Sequence, residues 1–344
     1  MKDRPVWRRR WISWLVVLIL VAVAAPIAAQ EPVNVQATRK EFGDAYRKGE
    51  WDRAVELGLE LERLVPNSSR EQYNLACVMA RNGEVDAALS WLGKAASNGF
   101  CRISLLDADS DLDAVRDLPG YQVVHNMMSE NTKRRRDLVY RNAAATPPLT
   151  VLPKDSAEDE LRPLIIALHG FGDTATNYPR AWGPVAEDIG AILVIPHGPR
   201  LVGNGRGWGN VDEAEAVLEA TIEYARKRFE VDWDRVVLTG FSQGGFMAMA
   251  LAGRHPDVFI GVIPMAGGYI PEIDAPAPAD DGAPRYYFMV GSRDRGVDQV
   301  RLAAADFEAA GYEVDLRVLG GTGHSFPRRT TTELRKALRF VLGE

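Results

Sequence analysis

The sequence predicts an α/β fold, a mostly parallel sheet with helices on both faces, preceded by a small all-α module. Three observations carry this. From Arg162 onward, short apolar runs alternate with amphipathic stretches such as Asp212 to Phe229 and Val297 to Ala310, the pattern of a sheet built from strand–helix–strand crossovers. Most of those runs end in glycine-rich or polar turns, and ligands bind at the carboxyl ends of strands in such sheets. From Asn34 to about Gly99 the pattern is helical instead, punctuated by turn glycines at a fixed interval.

Taking the elements in order, Lys2, Arg4, Arg8, Arg9 and Arg10 precede an apolar run from Trp11 to Ala29, followed by Gln30-Glu31-Pro32. A positive start, an apolar middle and small residues at the end describe an export signal cut near Ala29. The run is also long enough to stay behind as a membrane anchor. Residues 1–30 are therefore a signal peptide or an anchor, and either places the folded part outside the cytoplasm, periplasmic or secreted.

Gly49, Ala54 and Pro66 mark a turn glycine, a small residue at a helix crossing and a terminating proline. Gly83 and Ala88 repeat the first two marks 34 residues later, one tetratricopeptide period. GDAYRKGEWDRAVEL and YNLACVMARNGEVDAALSWLGKA resemble tetratricopeptide repeats, although Thr38 and Phe100 stand where that pattern has tryptophan and proline. Residues 99–128 resemble the capping stretch of such repeats, so residues 34–128 form one helical module. The resemblance implies a groove for a protein partner; a spacer or a lid on the neighbouring domain is the alternative. Residues 129–135 read as a basic, solvated linker containing Lys133-Arg134-Arg135, with Arg136 completing the basic run. Residues 136–344 read as the α/β domain, opening with strand-like DLVYRNA and PLTVLPK.

Within that domain, LIIALHG, AILVIPHG, RVVLTGF, VFIGVIPMAG, RYYFMVG and VDLRVLGG are the strands. RVVLTGF runs into Gly240-Phe241-Ser242-Gln243-Gly244 and then a helix over 245–254. This is G-x-S-x-G at a strand-to-helix junction, where a serine protrudes from a sharp turn and small residues let strand and helix approach. The helix start faces the serine, where negative charge on an oxyanion is stabilised.

A nucleophilic serine needs a base, an acid that orients it and oxyanion donors. His324, in GGTGHSF after the last strand, is the base. Asp294, in GSRDRGV after RYYFMV, is the acid; Asp298 competes but falls inside the next helix. The backbone N–H of Gln243, directly after the serine, is one oxyanion donor, and that of Phe171, in His169-Gly170-Phe171-Gly172, is the second. His169 braces that loop or borders the substrate pocket, and Trp208 is the other pocket candidate. His255 reads as a helix end, and His197 receives no role.

Residues 136–344 resemble an α/β-hydrolase of the carboxylesterase, phospholipase and acyl-thioesterase type, through LHGFGDTATNY, TGFSQGGFMA, GSRDRGV and GTGHSFP. The resemblance implies a Ser242–Asp294–His324 triad, an oxyanion hole at Phe171 and Gln243, and a carboxylic ester as substrate, small or polymer-borne. The loop 203–209 matches that family only loosely. A serine peptidase or a polysaccharide acetyl or feruloyl esterase would use the same residues. A binding protein whose repeats matter, with the hydrolase fold as scaffold, is the reading from another class.

The net charge of −6 gives no basic footprint for nucleic acid. The five histidines are scattered and no C-x-x-C or H-E-x-x-H spacing occurs, so neither metal nor cofactor is expected. The two cysteines, Cys77 and Cys101, are a disulfide pair or, with Cys77 in an apolar helix, free thiols. No large insertion separates the strands, so the site is expected to be open.

Overall fold

The computed structural model describes residues 33–154, 160–269 and 276–344. The expected signal or anchor over residues 1–30 lies outside them. Among the described residues, no helix is long and apolar enough to cross a membrane.

The chain opens with α1 (Val33–Lys48), α2 (Trp51–Leu64), α3 (Ser69–Arg81) and α4 (Val85–Ser97), each packed on the next. α1 and α3 end alike. Gly49 and Gly83 adopt φ of +71° and +84°, a left-handed conformation open to glycine without a Cβ penalty. The N–H groups of Gly49 and Glu50 then close onto the Tyr46 and Ala45 carbonyls, both at 3.0 Å, and Gly83 and Glu84 repeat this on Ala80 and Met79. These two bonds satisfy carbonyls that a helix end leaves open. Ala54 and Ala88, five residues after these glycines, are both fully buried. Cys77 and Cys101 are free thiols.

α5 (Ile103–Ala108) and α6 (Asp113–Arg116) lead into α7 (Tyr121–Ala145). The expected linker over 129–135 and the expected strand DLVYRNA are both interior to this helix of 25 residues, about 37 Å long. Its buried residues Tyr121, Val124, Met128, Thr132 and Val139 lie three, four or seven apart, one stripe of a helix. Tyr121, Val124 and Met128 join the core of the helical module, whereas Val139 joins the core of the sheet. One helix therefore belongs to both halves of the protein, and the sheet domain proper begins beyond it rather than at residue 136.

The remaining chain runs β1 (Leu149–Val151), β2 (Arg162–Leu168), α8 (Pro179–Asp188), β3 (Ile192–Ile195), β4 (Arg200–Val202), β5 (Gly205–Gly207) and α9 (Val211–Arg226). Then follow β6 (Val231–Phe241), α10 (Gln243–Arg254), β7 (Gly261–Met265), β8 (Arg285–Gly291), α11 (Val297–Ala309), β9 (Val314–Leu319) and α12 (Thr330–Leu342). The main sheet has the order β1-β3-β2-β6-β7-β8-β9; β1 is antiparallel to β3 and the other pairs are parallel. Side chains alternate along β2. Leu164, Ile166 and Leu168 pack with α9, α10 and α11, and Ile165 and Ala167 with α8 and α12.

Charge also joins the two halves. Arg135 pairs with Glu213, which is wholly buried, and Arg136 bonds Glu215 and Glu219, both at 2.7 Å. Arg200 bonds the same Glu213 through Nε at 2.6 Å and Nη2 at 2.8 Å. Burial pushes the Glu213 carboxyl up, but hydrogen bonds from Arg200 and Arg135 outweigh it and hold the group below the ordinary glutamate range. Arg135 and Arg136 are thus anchors rather than part of a solvated run.

Candidate active site

β6 lies centrally in the sheet and delivers Ser242 at its carboxyl end. The backbone there is strained: Ser242 has φ +56° and ψ −119°, outside the regions open to side-chain-bearing residues at no cost. The turn is held by the Ser242 N–H donating to the Met265 carbonyl at 2.8 Å and by close approach at Gly240 and Gly244. A Cβ on Gly240 would overlap the Gly244 carbonyl, and one on Gly244 the Leu168 carbonyl.

His324 reaches back from the loop after β9, with Nε2 at 2.8 Å from Ser242 Oγ. Its Nδ1 lies 2.6 Å from Asp294 Oδ2, on the loop after β8. A carboxylate only accepts, so Nδ1 carries the proton and Nε2 is left to accept from the serine hydroxyl. Asp294 is buried, and its other oxygen accepts from the Gly296 N–H at 2.9 Å. Asp298 points elsewhere, to Arg301 at 3.1 Å. The His324 side chain is 49% exposed, so water reaches the imidazole.

The Gln243 N–H is the first of α10, and the Phe171 N–H sits in the loop after β2; among the described residues, neither donates to another acceptor. The Phe171 side chain itself is exposed. The loop carrying Phe171 is clamped by the hairpin β4–β5: Gly172 N–H donates to the Arg206 carbonyl, and Arg206 N–H to the Asp173 carbonyl, both at 2.9 Å.

His169 and Trp208 do not border a substrate pocket, because both are fully buried. They form a brace instead. His169 Nδ1–H donates to the Gly170 carbonyl at 2.8 Å, and Nε2 accepts from the Gly198 N–H at 3.0 Å. Burial holds the His169 pKa down, against the smaller effect of the Gly170 carbonyl. Trp208 Nε1–H donates to the His169 carbonyl at 2.7 Å, while the Trp208 backbone N–H donates to Gln243 Oε1 at 3.1 Å. The two loops bearing Phe171 and Gln243 are tied together through one indole and one side-chain amide.

Residues 200–338 match the dienelactone hydrolase family model.

That stretch holds Ser242, Asp294 and His324 but not Phe171. Over 206 residues the chain is 32% identical to a Nocardia uniformis protein named Putative esterase NocK, covering 54% of this chain and 56% of that one. It is 32% identical over 117 residues to Poly(3-hydroxyalkanoate) depolymerase C of Paucimonas lemoignei (31% and 28% covered). It is also 32% identical over 107 residues to Feruloyl esterase B of Neurospora crassa (28% and 36% covered). The chain thus spans about half the length of the first relative and about a third of the other two. The crystal structure of esterase PE8 aligns with 57% of this chain and 98% of its own at 19% identity and a TM-score of 0.47. The sheet and its strand-to-helix serine turn are those of an α/β-hydrolase fold.

Two features of the site had no expectation attached. The hairpin β4–β5 falls in the loop 203–209 and just before it, where Gly203, Gly205, Gly207 and Gly209 mask strand character. The aromatic side of the site is the second. Phe241 lies 5.0 Å from the His324 ring and stacks on Phe326 at 5.0 Å, with Tyr178 edge-on at 5.6 Å. The adjacency of Phe241 to Ser242 and of Phe326 to His324 in sequence was the available signal. His255, at the end of α10, bonds Glu215 at 2.7 Å, away from Ser242.

Proposed function

We propose that this protein is a serine hydrolase that cleaves carboxylic esters through an acyl-enzyme. The observation that carries the reading is the relay from Ser242 Oγ through His324 to Asp294, at 2.8 and 2.6 Å, on a strained turn at the end of a central strand. Ser242 Oγ attacks the ester carbonyl carbon while its proton passes to His324 Nε2. The N–H groups of Phe171 and Gln243 hold the oxyanion. The carbon–oxygen bond to the alcohol breaks, and the alcohol leaves with the proton from His324. Water then gives a proton to His324 and attacks the acyl group; the acid departs and Ser242 regains its hydrogen.

Relatives named for esterase, feruloyl esterase and polyhydroxyalkanoate depolymerase activity support an ester, small or polymer-borne, as the substrate. The repeated helix ends at Gly49 and Gly83 support a tetratricopeptide-like module. The basic and apolar residues 1–30 support export. Hydrolysis of an activated ester by the full chain and by Ser242→Ala tests the reading. The variant is expected to lose nearly all turnover, since such residues act as a unit; wild-type rates from it would overturn the assignment.

A further inference from the structure

α10 begins at the serine turn, and the Phe246 N–H donates to the Ser242 carbonyl at 3.1 Å. Below Ser242, one face of this helix is apolar or small: Phe246, Met249, Ala250 and Gly253 follow at helical spacing. Those four residues line an open groove of about 450 Å³, within the size range of ligand sites. It runs about 10 Å along the helix, from one turn below Ser242 to Gly253. Phe307 of α11 lies on one side of it.

The wall facing α10 comes from the helical module. Leu105 of α5 borders the groove, as does Ala108. That wall is fixed: Ser104 Oγ–H donates to Asp212 Oδ1 at 2.6 Å, and Asn210 Nδ2–H to the Cys101 carbonyl at 3.2 Å. The groove therefore carries apolar side chains from α10, α5 and α11 together with Arg102, Asp212 and Arg254, has a fixed second wall, and begins one helical turn after Ser242.

We infer that this groove receives the acyl chain of the ester held at Ser242, and that the helical module, through Leu105 and Ala108, sets how long a chain is accepted. The inference rests on the ester-hydrolase reading. It gives the module a part in substrate selection, with an aliphatic acyl ester as the substrate class.

The test compares kcat/KM for the p-nitrophenyl esters of acetate, octanoate and dodecanoate, using the full chain and the variants Gly253→Trp and Ala108→Trp. A Cβ on Gly253 meets no atom within 4 Å and Ala108 is exposed, so both indoles fit without repacking a core. Each methylene excluded from an apolar site weakens transition-state binding several-fold. The dodecanoate-to-acetate ratio is expected to fall about tenfold in both variants. Acetate turnover with an unchanged ratio in both would overturn the inference and leave the ester-hydrolase reading standing. Failure of the wild type to hydrolyse any of the three would overturn that reading and the inference with it.

Discussion

Replacing Asp294 by asparagine removes one charge and almost no volume, and the hydrogen bonds determine the consequence. Asp294 Oδ1 accepts from the Gly296 N–H at 2.9 Å and Oδ2 from His324 Nδ1–H at 2.6 Å. An asparagine has one acceptor and one donor end. If its NH₂ faced Gly296, two donors would meet in a buried position, which costs the full desolvation of an unpaired group. The carbonyl therefore stays on Gly296 and the NH₂ faces His324. Nδ1 must then accept, so the ring proton moves to Nε2 and points at Ser242, which has lost its base. Where an asparagine imposes the wrong tautomer on such a histidine, kcat falls about 10⁴-fold, about 5.5 kcal/mol of transition-state stabilisation. The assay is steady-state hydrolysis of p-nitrophenyl acetate by wild type and Asp294→Asn, with thermal unfolding of both to show that the fold is kept. An Asp294→Asn enzyme within about tenfold of wild type would refute the tautomer argument, since the predicted loss is about 10⁴-fold.

Three further outcomes follow from the geometry. Trp208→Phe removes the indole N–H from the His169 carbonyl, 2.7 Å away in a fully buried position, and should cost about 1–3 kcal/mol of stability, read by urea unfolding; kcat should fall as well, because the Phe171 loop loses its tie to Gln243. Glu213→Gln leaves Arg135 and Arg200 without their buried carboxylate; since both guanidinium groups are partly hydrated, the loss should be about 2 kcal/mol, below that of a fully buried pair. Stability should also fall toward acid in two stages. Burial depresses the His169 and His197 pKa values, so their contribution is complete above the unfolded imidazole value of about 6.5 and declines as pH falls through and below it. The depressed Glu213 carboxyl contributes above the unfolded value of about 4.3, and that contribution is lost as pH falls further. Urea midpoints measured from pH 8 to pH 3.5 check both stages, and a midpoint that rises toward acid would contradict them.

The strands of the main sheet were legible because each is a short apolar run with a glycine or polar turn behind it, unlike the glycine-rich hairpin β4–β5. The residues around Ser242 were legible because a parallel sheet delivers strand ends to one edge, so Ser242, Asp294 and His324 converge although they lie far apart in sequence. α7 was obscured because a short stretch of it alternates like a strand. DLVYRNA alternates over a few residues, but the stripe from Tyr121 through Met128 to Val139 is helical over the longer stretch. The basic run looked solvated because its partners, Glu213 and Glu215, lie nearly eighty residues away. The same distance problem hid the brace. Nothing local to His169 or Trp208 states that one donates to the other's carbonyl across 39 positions, and both types also occur in substrate pockets. The groove beneath Ser242 needs α5 and α10 side by side, a juxtaposition that no local pattern encodes.

The central claim is that Ser242 is the activated nucleophile. The most direct measurement is labelling of the full chain with a fluorophosphonate probe, followed by peptide mapping by mass spectrometry. The account predicts one modified residue, Ser242, with ester turnover lost in step with labelling and no labelling of Ser242→Ala. Labelling confined to another residue, or an unlabelled enzyme that still turns over ester, would contradict it.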